Sequence, residues 1–449
     1  MIRNILIAGL AGSTIAACAD NLDTIKAQDS ERAAVLTANL AGGMSPTNQN
    51  ITGAYSGRLS PDLQVAVLHN SNYIAALSRS ERAKSEVRAT AGSWRPQASV
   101  TTSAGGLSES GAAGRDLSGV YGTLNVSQLL YDGGATRARI STATGRALAA
   151  EAERIDIANQ VAMNAAGAWI ELWKVTSQLA LLKDKTVALR ELLTQVERMA
   201  SSGLTDAGLV SAAQRELVEL ELYRDRLERA RTFARQQFRR YFPRHPNGQV
   251  ELQPLAGTDV IRDAVARPEA APAVQRAAAL VVVAERELEV SRARLQPSIS
   301  LQVGVNSPID ENDTTDTTVG VVMNYLISTG GERRARIQQS EAQLDAELNT
   351  LDETVQETRS RLDNYQSKLQ QTQSAIDAAR ERIELTSAEA EAVRSQLSTG
   401  QANLTRLINL EVSAYRAQDE LIWVEAEASN YITGLLATSG VLTKLIGIE

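Results

Sequence analysis

Gly119–Ile140 reads GVYGTLNVSQLLYDGGATRARI, and Val319–Ile337 reads VGVVMNYLISTGGERRARI. Each stretch alternates apolar and polar residues, stops at a Gly-Gly pair and continues into a basic segment. Gly133-Gly134 corresponds to Gly330-Gly331, and Arg137-Ala138-Arg139-Ile140 corresponds to Arg334-Ala335-Arg336-Ile337. Alternation with period two is the signature of a strand. Paired glycines break it and permit a turn into a helix. Upstream of each lies a partner: WRPQASVTTSAGG at 94–106 and LQPSISLQVGV at 295–305, opened by Pro96 and Pro297. Between the partners, Gly105–Ser118 and Asn306–Thr317 are rich in Gly, Ser, Asp, Asn and Thr, as loops are. The chain therefore contains two copies of a strand hairpin, at 95–131 and 297–328.

Each hairpin leads into a long helix. From Gly331 to Gly400 no residue between is Pro or Gly. The apolar seam Leu344, Leu348, Leu351, Val355, Thr358, Leu362, Tyr365, Leu369, Thr372, Ile376, Ala379, Ile383, Thr386, Ala390, Val393, Leu397 keeps a four-three rhythm. That is a heptad repeat and predicts coiled-coil packing. A weaker, alanine-rich seam runs from Ala158 through Leu172, Leu182 and Leu189 to Ala200. Gly134 to Gly203 and Gly331 to Gly400 are equally spaced (203 − 134 = 400 − 331 = 69). A helix of that length reaches roughly 100 Å. Gly203 and Gly400 are read as C-caps, each followed by a returning helix. PRHPNGQ, from Pro243, breaks the first return. The expected organisation is a signal segment at 1–17, an anchor and linker at 18–60, a first repeat at 61–242 whose first helix fills 61–93, a proline-rich segment at 243–272, and a second repeat at 273–449.

Composition narrows the function classes. The 449 residues carry a net charge of −7 without a basic stripe, and aromatics are only 4 %, which disfavours nucleic acid as a partner and suits long packed helices. With His69, His245 and Cys18 as the only histidines and cysteine, a His/Cys zinc site and a Cys-His nucleophile pair are nearly excluded. No catalytic or metal constellation and no cofactor motif is found, so the chain reads as a non-enzyme. Met1–Ala17 has a basic Arg3, an apolar Ile5–Leu10 and small residues after it, which reads as a secretory signal too short to span a membrane. Ile15-Ala16-Ala17-Cys18 resembles the bacterial lipobox, whose Cys is acylated (palmitate among its chains); the other reading is an ordinary signal peptide with an incidental Cys. In lipoproteins Ala19 after the Cys implies the outer membrane.

Four strands cannot close a membrane barrel, since single-chain outer-membrane barrels begin at about eight. Open strand edges are not tolerated in lipid, so a barrel must be shared between subunits. The two hairpin-helix copies, the DGG and TGG turns, and the turns SSGLTDAGLVSAAQREL and TGQANLTRLINLEVSAYRAQDEL resemble the TolC family of outer-membrane factors over about residues 60–440. The resemblance implies a mainly α fold with a membrane β-barrel: a homotrimer whose 3 × 4 strands close one 12-stranded barrel, continued by an α-helical periplasmic barrel. It implies a duct for efflux or type I secretion, opened when an inner-membrane RND or ABC transporter and a periplasmic adaptor (membrane fusion) protein dock at the helix tips. By position, Gly203, Leu204, Thr205, Gly400, Gln401 and Ala402 would meet the adaptor. The family's acidic constriction positions fall on Arg406 and Asn409, which would give a cationic or neutral ring unless Arg406 pairs with a neighbouring helix. The competing reading is a structural or adaptor coiled-coil lipoprotein of the periplasm. It accounts for the helices and leaves the hairpins without a role.

Overall fold

The computed structural model describes residues 27–32, 34, 59–108, 116–202, 207–242, 251–252, 255–308, 315–397 and 404–448. Cys18, Gly203, Leu204, Thr205, Gly400, Gln401 and Ala402 lie outside them. In chain order the elements are α1 (Leu59–Leu68), α2 (Ser71–Gly92), β1 (Gln97–Ser108), β2 (Asp116–Tyr131), α3 (Ala135–Ser201), α4 (Ala207–Tyr241), α5 (Thr258–Ala266), a 3-10 turn at Pro268–Ala270, α6 (Pro272–Ala293), β3 (Ser298–Pro308), β4 (Asp316–Asn324), α7 (Glu332–Leu397), α8 (Leu404–Thr438) and α9 (Val441–Leu445).

The single helix expected over 61–93 is two. The chain breaks at His69-Asn70, where the Asn70 carboxamide oxygen accepts the Asn72 N–H at 2.9 Å and starts α2 afresh. The second hairpin is shorter than expected. β4 stops at Asn324 because β3 offers no partner beyond Ser298, and Ser298 pairs with Asn324. The long helices match their expected bounds to within a few residues: α3 has 67 residues and α7 has 66.

The strands form one antiparallel sheet in the order β1-β2-β3-β4. The two hairpins are joined by β2 against β3, in register from Tyr121↔Pro308 to Tyr131↔Ile299. For that reason the compact units cut across the sequence repeats. One unit gathers Ala76–Glu153 and Ala273–Val355 with the described N-terminal residues; the other gathers residues 59–75, Arg154–Pro272 and 356–448.

In the first unit the turn from β2 to α3 is built by Asp132 and two glycines. The Asp132 carboxylate accepts the N–H groups of Gly134 (3.1 Å) and Thr136 (2.7 Å), capping α3. Gly133 and Gly134 hold φ of 66° and 88°, and Gly330 and Gly331 hold 60° and 92° at the equivalent turn into α7. Residues 27–32 are fixed to α6 by Arg32, which pairs with Glu285 at 2.7 Å, and by buried Asp29, which accepts from Arg286 at 3.1 Å. Burial raises the Asp29 carboxyl above its ordinary value, outweighing the hydrogen bond from Ser141 and the charge of Arg286.

In the second unit the core has two centres. Trp169 of α3 meets Phe238 at 5.6 Å and Phe242 at 5.4 Å between ring centres, and its indole N–H donates to Glu251 O. The proline-rich segment packs here through Leu255 and Ala256. The C-terminus is tied in by Asn159, which exchanges hydrogen bonds with Thr443. The other centre joins Val175, Leu182, Leu189 and Val196 of α3 with Ala213 and Leu220 of α4, Val393 of α7, and Leu404, Leu407 and Tyr415 of α8. The α7 seam is buried at Leu351, Val355, Thr358, Leu362, Thr372, Ile376, Ala379, Ala390 and Val393. Leu348, also on that seam, is 43 % exposed.

A Cβ at Gly133 would lie 2.5 Å from Gln296 Cβ and 3.0 Å from Ala293 O, whereas one at Gly330 meets nothing within 4 Å. Gly133→Ala is expected to cost about 1–3 kcal/mol, and more than Gly330→Ala, where only the left-handed backbone resists. Paired thermal melts check the order.

Candidate functional site: a sheet with one apolar face

Register assigns every strand residue to one of two faces. Val100 pairs with Leu124, Leu124 with Val305, and Ala98 with Val126. Val126 pairs with Val303, Val303 with Val319, Leu301 with Val321, and Ile299 with Met323. These residues share one face. Among them Val100 is 76 %, Val319 68 %, Val321 64 % and Met323 64 % exposed, so nothing among the described residues covers them. The opposite face carries Ser99, Thr101, Thr123, Asn125, Ser127, Ser300, Gln302, Asn306, Thr318 and Asn324, interrupted by Leu129 and Val322. Gln128 falls on the apolar face at its foot, and its carboxamide N–H donates to the carbonyls of Trp94 (2.6 Å) and Leu129 (3.1 Å), so its polarity is spent locally. An irregularity between Leu129 and Tyr131 turns both Leu130 (56 % exposed) and Tyr131 (46 %) outward.

The strands hold 12, 16, 11 and 9 residues, which suits the roughly 9–11 needed by a tilted transmembrane strand. One end of the sheet is rimmed by Trp94, Tyr131 and Tyr325, the aromatic placement of a membrane–water boundary. No described helix is long and apolar enough to cross a membrane. A barrel wall, with lipid outside and water inside, is the environment that this two-faced sheet fits.

In the helical unit, one polar cluster is sunk among the apolar seams. Asp419 of α8 accepts from Gln178 of α3 at 3.0 Å and from the Tyr223 hydroxyl of α4 at 3.0 Å. The Tyr223 and Tyr415 rings meet edge-on, 6.5 Å between centres. The buried Tyr415 hydroxyl has no partner among the described residues. Burial raises the Asp419 carboxyl, against the lowering by its two donors. Burial and then the Asp419 charge push the Tyr223 phenol up to about 12. Nothing in the sequence flags this cluster, since its members come from three helices.

Nearer the turns, Arg406 is exposed and pairs with Glu389 of α7 at 2.5 Å. The ion-pair alternative for Arg406 is thus the one seen within the chain. Asn409 is exposed one turn on. Glu411 receives Arg394 of α7 and stands 3.9 Å from Lys185 of α3. These pairs lie beside a groove of about 590 Å³ lined by Leu189, Leu192, Leu220 and Leu407. No described cluster of His, Cys, Asp or Glu could hold a metal ion.

Residues 268–440 match the family described as outer membrane efflux protein. The fold extends that likeness to most of the chain. The outer membrane protein VceC of Vibrio cholerae superposes with a TM-score of 0.71 at 16 % identity, covering 85 % of this chain and 96 % of that one. The CmeC outer membrane channel of Campylobacter jejuni gives 0.67 at 14 %, covering 90 % and 91 %. The MtrE outer membrane channel of Neisseria gonorrhoeae, in its open state, gives 0.69 at 17 %, covering 88 % and 95 %. No curated protein matches the sequence. The family and the solved structures it resembles are channels rather than enzymes.

Two outcomes test these assignments. Val303→Arg, on the apolar face, is expected to cost about 2–4 kcal/mol per copy in the membrane and to abolish detergent-resistant assemblies. Gln302→Arg, its neighbour on the polar face, should leave them intact; circular dichroism would show equal helix content. For Asp419, the raised carboxyl contributes stability that is full below its ordinary value of 3.8 and is lost as pH rises through the folded-state value. Asp419→Asn should therefore gain melting temperature relative to the parent as pH rises from about 4 to neutrality. A difference independent of pH would remove the assignment.

Proposed function

We propose that this chain is one subunit of a bacterial outer-membrane export channel, the exit duct of a tripartite efflux pump. The observation that carries this reading is the four-stranded sheet with an uncovered apolar face and two open edges, β1 and β4. In hydrocarbon an open edge leaves a row of backbone groups without partners, several kcal/mol each. Closure with further copies removes the edges, and three copies of a 4-stranded sheet give 3 × 4 = 12 strands. The polar face then lines an aqueous passage.

The long helices α3 and α7 with their heptad seams, and the returning helices α4 and α8, supply the periplasmic extension of that passage. Gly203, Leu204, Thr205, Gly400, Gln401 and Ala402, at the turns between them, are the proposed contacts of a periplasmic adaptor protein working with an inner-membrane pump. The Arg406–Glu389 and Arg394–Glu411 pairs hold α7 to α8 just behind those turns. They are the proposed ties that keep the turn region closed until the adaptor docks. Acylation of Cys18 is part of the proposal. The lipid would report location more than provide the anchor, because the barrel itself holds the protein in the membrane. A coiled-coil adaptor role leaves the two-faced sheet without a use, and the efflux-family match of residues 268–440 favours the duct.

Purified full-length chain is expected to migrate as a detergent-stable trimer and to give single-channel conductance in planar bilayers. A monomer without conductance would sink the proposal.

A further inference from the structure

We propose that the foot of the sheet is a binding surface for the phosphate headgroups of anionic phospholipids, a reading that rests on the membrane placement above. The repeated basic segments after the Gly-Gly turns have no part in closing the barrel or in the helical seams. Around the four strand ends, residues 94–97, 131–139, 292–298 and 324–336 contain eight arginines against two carboxylates, Asp132 and Glu332, a local excess of 8 − 2 = 6.

Some of that charge is used internally. Arg292 pairs with Glu341 at 3.0 Å and Arg336 with Glu332 at 2.8 Å, while Arg333 donates to the carbonyls of Arg294 and Leu326. Asp132 caps α3. Arg95, Arg137, Arg139, Arg294 and Arg334 are exposed, and none of them has a carboxylate within 4.0 Å among the described residues.

Their position is electrostatically costly for the chain alone. Arg137, Arg139 and Arg334 stand in the first turns of α3 and α7, where the helix dipole favours anions and disfavours cations. A neighbouring anion outside the chain relieves that cost. The level at which they sit identifies the anion. Tyr131 and Tyr325 and the end of the apolar face lie immediately on the strand side of Arg137, Arg139 and Arg334, and Trp94 adjoins Arg95 at the foot of β1, so the arginines stand where hydrocarbon gives way to headgroups. A guanidinium fork matches phosphate oxygens bidentately and its stem lies along apolar surface. Arg139, Arg294 and Arg336 also line one cleft of about 590 Å³ among α2, α3, α6 and α7, a seat of headgroup size. Glu86, Glu287 and Glu347 are also on its wall; Arg146 pairs with Glu287 at 2.7 Å and stands 3.7 Å from Glu86, so four arginines face three carboxylates there.

The test uses the full chain in vesicles of phosphatidylcholine alone or mixed with phosphatidylglycerol. The chain should partition preferentially into the anionic vesicles, and the preference should fall with salt. In the triple variant Arg139→Gln, Arg294→Gln, Arg334→Gln the preference should drop by about tenfold or more, at roughly fivefold per arginine before screening. The corresponding triple lysine variant should keep most of it, which separates lost charge from lost folding. Equal partitioning of the parent chain into both vesicles overturns the proposal. So does a glutamine variant that keeps the preference but shifts the reversal potential, since the arginines would then face the passage. Channels that form without lipid preference defeat this inference alone; no channels in either vesicle defeats the membrane reading with it.

Discussion

A peptide group in hydrocarbon has no water to bond, and the proposed membrane placement of the sheet rests on that constraint. The sheet satisfies its inner backbone through three antiparallel ladders. Among the described residues it leaves the outer edges of β1 and β4 unpaired and its valine-rich face bare. Lipid excludes the open edges, and water disfavours the bare apolar face. In the proposed channel, closure with further copies repairs the edges and lipid covers the face. Each Gly-Gly turn converts a strand end into a helix start, so the long helices α3 and α7 follow directly from β2 and β4.

The helices solve the opposite problem. They are too polar to enter a membrane and are stabilised by seams in which roughly two residues in seven are apolar. Such seams leave room for polar residues, and the chain uses it. Asp419 is held by Gln178 and Tyr223 from two other helices. Its raised carboxyl shows that the two hydrogen bonds do not fully repay its burial. The two hydrogen bonds nonetheless tie this half-buried carboxylate on α8 to one residue each of α3 and α4.

The heptad seam of α7 was legible because coiled-coil packing repeats every seven residues along one helix, and from Leu351 to Val393 the structure buries or half-buries the positions that the rhythm selects. The hairpins were legible because period-two alternation is equally local. The break at His69-Asn70 was missed because a single Asn capping an N–H two residues on leaves no periodic trace. The Arg406–Glu389 pair could be weighed but not decided, since its members lie on separate helices joined by a turn.

The amino-acid sequence by itself determined the repeat, the two hairpins, the long helices and the need for partners, because these follow from periodicity, glycine placement and a strand count too small to close. Only the tertiary structure decided that β2 pairs with β3, and therefore that the valines and the arginines of both repeats gather on one sheet and at one foot. It also decided that Asp419, Gln178 and Tyr223 meet. These are contacts between residues far apart in the chain, set by which surfaces bury each other, and no local pattern encodes them.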